Sequence, residues 1–330
     1  MDPQVVCFGE LLIDFVALER GVTVGQATRF EKVPGGAPAN VAVGLAKLGI
    51  PAAFVTQLGD DPFGHFLHDI LRQSSVDTRG IVFTDAARTA LAFAAITPEG
   101  DRSFAFYRSP SADMLMTPEQ LERSLIEQAE VFHFGSITLI DEPVRTTTLT
   151  AVNVAKESGA LVSYDPNLRE ALWPDLETAC DGMLMGLQHA HIVKLSEEEL
   201  AFLTGVEDLA DEPAIAAAAH QLWHDDLQLI AVTRGGEGAV GITPSFQVVV
   251  PGFTVEVEDT IGAGDGFGAG LLAGVVASES RGFDSRDGVT TLLRQANAAG
   301  ALTATQRGAI PALPEIDTLR AFLAGQPAAF

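Results

Sequence analysis

An aspartate inside a glycine-rich turn is the strongest chemical signal in this sequence. Asp265 ends the run DTIGAGD at residues 259–265, which follows a strand-like apolar segment at 253–257 and opens a helix-like segment at 265–277. Glycines at a strand-to-helix turn leave backbone N–H groups free to face an anion, and the helix dipole adds positive charge there. A carboxylate at such an anion site is unfavourable because it repels phosphate, so its presence there indicates a specific role. Accepting a proton from an attacking hydroxyl is such a role. The pattern therefore favours Asp265 as a general base.

Two other interpretations of this turn remain open from the residues alone. Asp265 could serve as a helix cap at an ordinary Gly-rich turn. Gly264, Gly266 and Ala269 also fit the loose G-x-G-x-x-A fingerprint of dinucleotide sites, although the pattern lies far from the first strand of the chain. A P-loop is excluded, because the sequence contains no Gly-Lys pair.

A second glycine motif, PGGAPAN at residues 34–40, precedes another helix-like segment. Paired glycines let a small ligand approach the backbone closely. Asn40 offers both a donor and an acceptor, which suits a ligand rich in hydroxyl groups. A tight strand-to-helix turn without a ligand is the competing interpretation.

Two further motifs are ambiguous. The run TRGGEG at residues 233–238 follows a strand, and it could line a nucleotide site or form a plain hairpin turn. The run SEEE at residues 196–199 is a capping box by its spacing. Its functional interpretation is that Glu199 holds Mg²⁺ through water.

The composition narrows the partners that this chain can have. A formal charge of −24 repels nucleic acid and anionic membrane surfaces, and it also repels ATP, so that a phosphate site must rely on local donors. The two cysteines cannot form a disulfide framework, which favours a reducing cytoplasm. The first residues lack a basic segment typical of signal peptides, and the apolar stretches are too short to span a membrane.

Short apolar runs alternate with helix-like segments along most of the chain. The strand predictions are 5–8, 53–57, 131–134, 161–164, 191–194 and 229–233. The helix predictions, besides 265–277 and one after Pro38, are 142–158, 175–188, 212–224 and 286–304. This alternation predicts an α/β fold with a largely parallel sheet, and the absence of a linker predicts a single domain over residues 1–330.

Two stretches interrupt the alternation and indicate antiparallel β structure. These are residues 11–33 and 88–108, and the second contains a hairpin candidate with a turn at 98–101. The two stretches flank the first helical unit in sequence. We therefore expect them to pair as a small β lid.

Taken together, the motifs at 259–265 and 35–40 resemble the two signature regions of the PfkB (ribokinase-like) family of carbohydrate kinases. Between them, the segments 106–115, 131–136 and 163–169 look like the fructokinase branch of that family. The resemblance extends over about residues 5 to 315. It implies a ribokinase-like three-layer sandwich, with a largely parallel central sheet and a small β-sheet lid that often serves as a dimer surface.

The resemblance also implies an activity: transfer of the ATP γ-phosphoryl group to the 6-hydroxyl of D-fructose, with Mg²⁺ as cofactor. The small-molecule partner would be a sugar, and the protein would form a homodimer through the lid. Asp265 would be the base, and Arg169 would lie near the phosphate path. The implied anion hole comprises the N–H groups of Gly262, Ala263 and Gly264. The implied sugar contacts are Asp14, Gly35, Gly36, Asn40 and Arg108. The implied nucleotide contacts are Thr233, Gly235, Gly238 and Asn297.

The chain departs from the family pattern at one metal motif. The family's Asn-x-x-Glu begins here with Ser196, while Glu199 is retained. We expect the Mg²⁺ role of Glu199 to persist. Many relatives also bind a monovalent cation such as K⁺ near Asp259, Ile261 and Gly308, and the sequence leaves that property open for this chain.

Three alternatives to a fructokinase remain at this point. Within the same class, the substrate could be 2-keto-3-deoxygluconate or another hexose or pentose, because sequence does not display the geometry that discriminates hydroxyl groups. A sugar-binding regulator without catalytic activity is disfavoured by the intact Asp265 and its glycines. A dinucleotide oxidoreductase has support only from the glycine pattern.

Overall fold

The computed structural model describes residues 2–97, 102–278 and 280–326. Its strands are β1 (Val5–Phe8), β2 (Leu12–Arg20), β3 (Phe30–Gly35), β4 (Ala52–Gly59), β5 (Asp77–Thr84), β6 (Leu91–Ile96), β7 (Arg102–Tyr107), β8 (Val131–Gly135), β9 (Leu161–Asp165), β10 (Ile192–Ser196), β11 (Leu229–Thr233), β12 (Gly238–Ile242) and β13 (Gln247–Pro251).

The α-helices surround these strands. They are α1 (Ala37–Lys47), α2 (Pro62–Gln73), α3 (Arg123–Glu127), α4 (Val144–Glu157), α5 (Leu176–Leu187), α6 (Glu197–Thr204), α7 (Glu212–Gln221), α8 (Ala263–Ala277), α9 (Arg286–Thr303) and α10 (Ile316–Ala324). Within the described ranges, no helix is both long and apolar enough to cross a bilayer.

The central sheet has nine strands in the order β13-β12-β11-β10-β9-β8-β1-β4-β5. From β11 to β5 every neighbouring pair is parallel, whereas β12 and β13 add an antiparallel edge. This arrangement confirms the predicted α/β fold with a largely parallel sheet. The turn at 233–238 joins the antiparallel strands β11 and β12, so that it is a hairpin turn as well as a candidate nucleotide loop.

Both faces of the central sheet are buried, which is why its strands are continuous apolar runs. In β1, Val6 and Phe8 pack into a core with helices α3 to α7. Val5 and Cys7, which alternate with them along the strand, point into a second core with α1, α2, α8, α9 and α10. Successive side chains of a strand point to opposite faces, so one short strand supplies both cores of a three-layer sandwich.

The predicted lid is a separate four-stranded sheet in the order β3-β2-β6-β7. Each of the two stretches forms an antiparallel pair, and β2 and β6 join the pairs in parallel. The pairing of the two stretches, which are far apart in sequence, is therefore confirmed. The hairpin turn predicted at 98–101 lies outside the described residues.

One strand prediction is wrong. Residues 253–257 form no regular secondary structure, because the edge strand β13 ends at Pro251. The ring of Phe253 instead packs edge-on against Phe322 of α10, with the ring centroids 5.2 Å apart, and the Arg294 guanidinium lies over it. The apolar character of Phe253 therefore reflects side-chain packing against helices and not strand pairing, while Val257 of the same run is exposed.

Candidate active site

The carboxyl ends of the parallel strands bring together the chemistry-bearing residues. β9 ends at Asp165, β10 at Ser196 and β11 at Thr233, and these three strands are parallel neighbours whose ends meet at one edge. Ligands of open α/β sheets bind outside this edge, at the carboxyl ends of the strands. The first turn of α8 reaches the same edge, because Asp265 lies near Lys194 of β10.

The turn into α8 depends on a glycine. Gly262 caps the helix in the left-handed region, with φ of 78°. A Cβ at this position would also lie 2.7 Å from the Cβ of Ala309, so a larger residue meets both strain and a clash. Gly264 follows in the first turn of α8, where N–H groups lack helical partners. The N–H of Ala263 donates to Thr260 O over a long distance of 3.2 Å.

Asp265 is held by the second glycine motif. Nδ2 of Asn40, in the first turns of α1, donates to Asp265 Oδ2 over 2.7 Å. Burial raises the pKa of Asp265, while the Asn40 hydrogen bond and the charges of Lys194 and Arg169 oppose that rise. Asp265 is half-buried. A carboxylate with a raised pKa is a better proton acceptor than an ordinary aspartate.

The two glycines before α1 are required by close contacts. A Cβ at Gly35 would lie 2.0 Å from Asp14 Oδ2. Gly36 has φ of 117°, and a Cβ there would lie 2.3 Å from Glu10 O. The carboxylate of Asp14, on lid strand β2, therefore sits directly against the glycine loop.

The charge of Arg169 acts on the carboxylates of both Asp14 and Asp265. Burial raises the pKa of Asp14 to about 6, and the charge of Arg169 opposes this rise. The same guanidinium opposes the rise in the pKa of Asp265 that burial causes. It is anchored by a hydrogen bond from Nη1 to Leu168 O of 3.0 Å. Residues 14, 169 and 265, distant in sequence, thus converge on one site.

Lys194 is the main site residue that the sequence analysis missed. Its Nζ forms a buried ion pair of 2.9 Å with Asp165 Oδ2. Burial alone would lower the pKa of Lys194, but Asp165, Glu199 and Asp265 together raise it above its usual value. Nζ also lies 3.2 Å from the position of a Cβ on Gly264, next to the predicted anion hole. The available signal was its place at the end of a strand in a chain with only four lysines.

Glu199 forms the capping box that its spacing indicates. Its Oε2 accepts from Ser196 N over 2.9 Å, and Ser196 Oγ accepts from Glu199 N over 3.1 Å. In addition, Oε1 accepts from Leu168 N over 2.8 Å. Glu199 also lines a cavity of 340 Å³ together with Arg169 and Lys194. The capping role of Glu199 is therefore confirmed. Its position beside the cavity is also compatible with binding Mg²⁺ through water.

Arg108 follows the last lid strand and is buried. Its Nε and Nη2 both lie 2.8 Å from Asp113 Oδ2. Burial raises the pKa of Glu10, and the charge of Arg108 opposes that rise. The predicted sugar contact of Arg108 therefore begins from a guanidinium that is already paired with Asp113.

The predicted nucleotide residues surround the β11–β12 hairpin. Thr233 Oγ1 donates to Leu195 O over 3.3 Å. Gly235 and Gly238 have φ of 52° and 102°, so that this turn needs glycine at both positions. Asn297 of α9 donates to the carbonyls of residues 250 and 251, at the end of β13.

The three residues matched to a monovalent cation site also converge. Asp259 Oδ1 accepts from Ile261 N over 3.1 Å, and Oδ2 accepts from Gly308 N over 3.2 Å. Across the described ranges, no group of three or more His, Cys, Asp or Glu side chains is arranged to hold a metal ion.

Comparison with known proteins agrees with this geometry. The model of the pfkB family carbohydrate kinases matches residues 2–316. The chain belongs to the pfkB family of carbohydrate kinases. This pfkB kinase is 50% identical to a protein named probable fructokinase-2 of Arabidopsis thaliana, over 94% of this chain and 92% of that one.

Solved structures of similar proteins share the fold of this pfkB kinase. A fructokinase of Xylella fastidiosa with bound ATP is 37% identical, with a TM-score of 0.87 over 97% of this chain and 98% of that one. A fructokinase of Vibrio cholerae O395 with fructose, ADP and calcium ion bound is 34% identical, with a TM-score of 0.85 over 97% of this chain and 99% of that one. The predicted ribokinase-like fold and the predicted family are therefore confirmed.

The dinucleotide interpretation of the glycine pattern is wrong for this pfkB kinase. Gly264 and Gly266 lie inside the first turn of α8, and the preceding residues 252–257 form no strand. A dinucleotide fingerprint needs a strand, a glycine turn and a helix within one βαβ unit. Here α8 leads directly into α9, and the two helices pack together.

Proposed function

We propose that this protein is a fructokinase that transfers the γ-phosphoryl group of ATP to the 6-hydroxyl of D-fructose. The observation that carries the proposal is the hydrogen bond of 2.7 Å from Asn40 to Asp265, which joins the glycine loop of α1 to the glycine turn of α8. A hydroxyl-binding loop and an anion-binding helix terminus thereby meet at one carboxylate. The fructokinase names of the similar proteins support the choice of sugar.

Each residue of the site has a task in this reaction. Asp14, Gly35, Gly36, Asn40 and Arg108 are assigned to the sugar. Asp265 accepts the proton of the 6-hydroxyl as the new O–P bond forms. The N–H groups of Gly262, Ala263 and Gly264, with Arg169, face the negative charge of the transferred group. Thr233, Gly235, Gly238 and Asn297 are assigned to the nucleotide.

Lys194 supplies local positive charge for a phosphate site in a chain whose formal charge of −24 would otherwise repel ATP. Its ammonium group and the guanidinium of Arg169 are the cations that act on Asp265. Burial raises the pKa of Asp265, and because both cations oppose that rise, they favour its ionised form before the reaction. We assign Lys194 to this electrostatic role at the start of α8.

The carboxylates beside the 340 Å³ cavity fit a hydrated Mg²⁺ ion. Glu198 and Glu199 line the cavity, and oxygen ligands and water are what this ion prefers. Both oxygens of Glu199 already accept N–H groups, so its contact to the ion would pass through water. When bound, the ion neutralises charge on the phosphate oxygens. The convergence of Asp259, Ile261 and Gly308 supports a K⁺ site beside α8.

The lid carries the proposed dimer surface. It exposes the large apolar side chains of Leu18, Ile96 and Phe104, which are 54%, 41% and 45% exposed, whereas Tyr107, three residues after Phe104 in β7, lies on the opposite face of the sheet. Apolar groups clustered on a small sheet favour packing against a second copy. Light scattering should report twice the mass of one chain, and the variant Phe104→Asp should shift it toward the mass of one chain. A parent protein of single-chain mass would contradict the dimer.

The proposed setting is the reducing cytoplasm. Cys7 and Cys180 are both free thiols, and Cys7 is buried in the central sheet. A chain whose thiols are unpaired suits a compartment that keeps them reduced.

A coupled assay of ADP release over a panel of sugars tests the activity. D-Fructose should have the highest kcat/KM, with phosphate on O6 by NMR. If 2-keto-3-deoxygluconate or ribose exceeds fructose by tenfold, about 1.4 kcal/mol of transition-state preference, the sugar assignment is wrong. ADP release with none of the sugars would favour a non-catalytic sugar-binding protein.

A further inference from the structure

Four chain connections join the lid to the rest of the domain. They are the segments before β2, after β3, before β6 and after β7, all within the described ranges. Any closure of the lid over a sugar must bend these connections, because the strands themselves are tied by sheet hydrogen bonds. The side chains buried at the connections therefore control how the lid is placed.

Glu10 occupies the first connection and is 3% exposed. Its Oε1 accepts from Ala37 N over 3.0 Å, at the end of the second connection. The helix α1 that begins there has Gly36 as N-cap, without a side-chain cap and without an acidic residue in its first turn. Glu10 thus supplies, from another segment, the negative charge that a helix N-terminus favours.

Glu10 also interacts electrostatically with the connection after β7. Burial raises the pKa of Glu10, and the charge of Arg108, the residue that follows this strand, opposes that rise. Arg108 is also paired with Asp113, and the two side chains are only 3% and 2% exposed. Burial, the largest influence, raises the pKa of Glu10 to about 7, and the charge of Asp113 adds to the rise. The Arg108 guanidinium is thus paired with Asp113, and its charge also acts on Glu10.

The remaining connection, before β6, is held separately. Thr89 N donates to Asp61 Oδ2 over 2.8 Å, and Thr89 Oγ1 donates to Asp61 Oδ1 over 3.0 Å. Asp61 caps α2 and not α1. Glu10 therefore joins the first two lid connections through its hydrogen bond from Ala37 N, and it interacts with the connection after β7 through the charge of Arg108. The helix that begins at Ala37 carries Asn40, which in turn holds Asp265.

We propose that Glu10 is a positioning residue that couples the lid to α1, so that its charge sets the affinity for the sugar without taking part in phosphoryl transfer. The inference rests on the proposed function for the identity of the sugar. The ionised carboxylate binds both the Ala37 N–H and the Arg108 side more strongly than the neutral acid. Fructose binding should therefore tighten as the pH rises through the range in which Glu10 ionises.

The variant Glu10→Gln keeps an acceptor for Ala37 N but removes the charge. At pH 8 we expect the fructose KM to rise about tenfold while kcat stays within about threefold of the parent. At pH 6, where Glu10 is largely protonated in the parent, the two KM values should converge. Asp14 and Asp265 also titrate in the cleft, but both proteins retain them, so that the ratio of KM values isolates Glu10.

Thermal stability separates positioning from a merely structural role. A carboxyl group whose pKa is raised by folding contributes stability at low pH, and this contribution is lost as the pH rises through the folded-state pKa. At pH 8 the neutral glutamine should therefore melt no lower than the parent. The control is Glu315→Gln, which removes an exposed carboxylate near Lys47 in the last turn of the same helix.

Hydrogen exchange without sugar provides a readout that does not depend on the substrate. At pH 8, Glu10→Gln should speed amide exchange at residues 37–40 and in the lid about fivefold, whereas Glu315→Gln should not. A parent that does not phosphorylate fructose would refute the proposed function alone, and exchange would still decide the inference. Unchanged exchange, a KM ratio equal at pH 6 and 8, or a melting temperature clearly below the parent's would overturn it.

Discussion

Replacement of Asp265 by asparagine isolates the proton-accepting role. Asparagine has the same size, and its Oδ1 can still accept the hydrogen bond from Asn40 Nδ2, which is 2.7 Å long in the parent. What disappears is the ability to take a proton from the sugar hydroxyl. Fructose affinity should stay within about threefold, because the contact that positions the glycine loop is retained.

The expected loss follows from the usual effect of general base catalysis. That effect is about 10²–10⁴-fold in rate, so kcat should fall by this factor, equivalent to about 3–5 kcal/mol of transition-state stabilisation. The stability of the variant, in contrast to its kcat, should not fall. Burial is the largest influence on the pKa of Asp265 and raises it. The carboxyl group therefore contributes stability at low pH and loses it as the pH rises, and the variant should melt no lower than the parent at pH 7.5.

The assay compares kcat, fructose affinity and melting temperature in Asp265→Asn and in a matched control. Asp287→Asn is that control, because Asp287 is also an acid in the first turn of a helix, α9, but is exposed. Its kcat should equal that of the parent. An Asp265→Asn enzyme with near-normal kcat would remove this residue from the mechanism. Loss of folding in the variant would instead make Asp265 a structural residue.

Three further substitutions test the neighbouring charges. Lys194→Met breaks a buried ion pair, and it should lower the free energy of unfolding, measured by urea titration, by about 3–5 kcal/mol. The double variant Lys194→Met, Asp165→Asn should recover stability but not kcat. If kcat also recovered, the role of Lys194 would be structural. In Glu199→Gln the new amide NH₂ faces one of the two N–H groups that Glu199 accepts, so the variant should lose about 1–3 kcal/mol of stability. An unchanged Mg²⁺ requirement of this variant would restrict Glu199 to capping. Asp14→Asn removes a carboxyl whose pKa is raised to about 6; melting curves at pH 7.5 should show equal or higher stability, and kinetics should show a higher fructose KM, whereas a lower melting temperature would contradict the sign of this argument.

The Glu199 prediction illustrates where local pattern and structure differ. By sequence spacing alone, glutamine is an adequate replacement at this capping position. The structure adds a second acceptor contact, from Leu168 N to Glu199 Oε1, that glutamine cannot reproduce together with the first. Leu168 is distant in sequence, and its approach to α6 depends on the pairing of β9 with β10.

Much of the fold could be predicted because its determinants are local. Apolar runs of strand length, glycines with required backbone angles, and caps such as Ser196 report on their own segments. These signals located most parallel strands and most of the long helices, although α2 was not predicted, and the two glycine motifs indicated phosphate and hydroxyl chemistry. The same local logic failed at Phe253, because an apolar residue packed against a helix resembles one paired in a sheet.

The sequence by itself determined the types of chemistry available: a carboxylate in a glycine-rich turn, a glycine loop beside an amide, and a charge of −24 that demands local cations. Only the tertiary structure decided which cations and carboxylates meet. Lys194 reaches Asp265 and Glu10 reaches Ala37 because parallel strands end at one edge and the lid connections converge above it. Such contacts join residues far apart in the chain, and their energies depend on burial, which no local pattern contains.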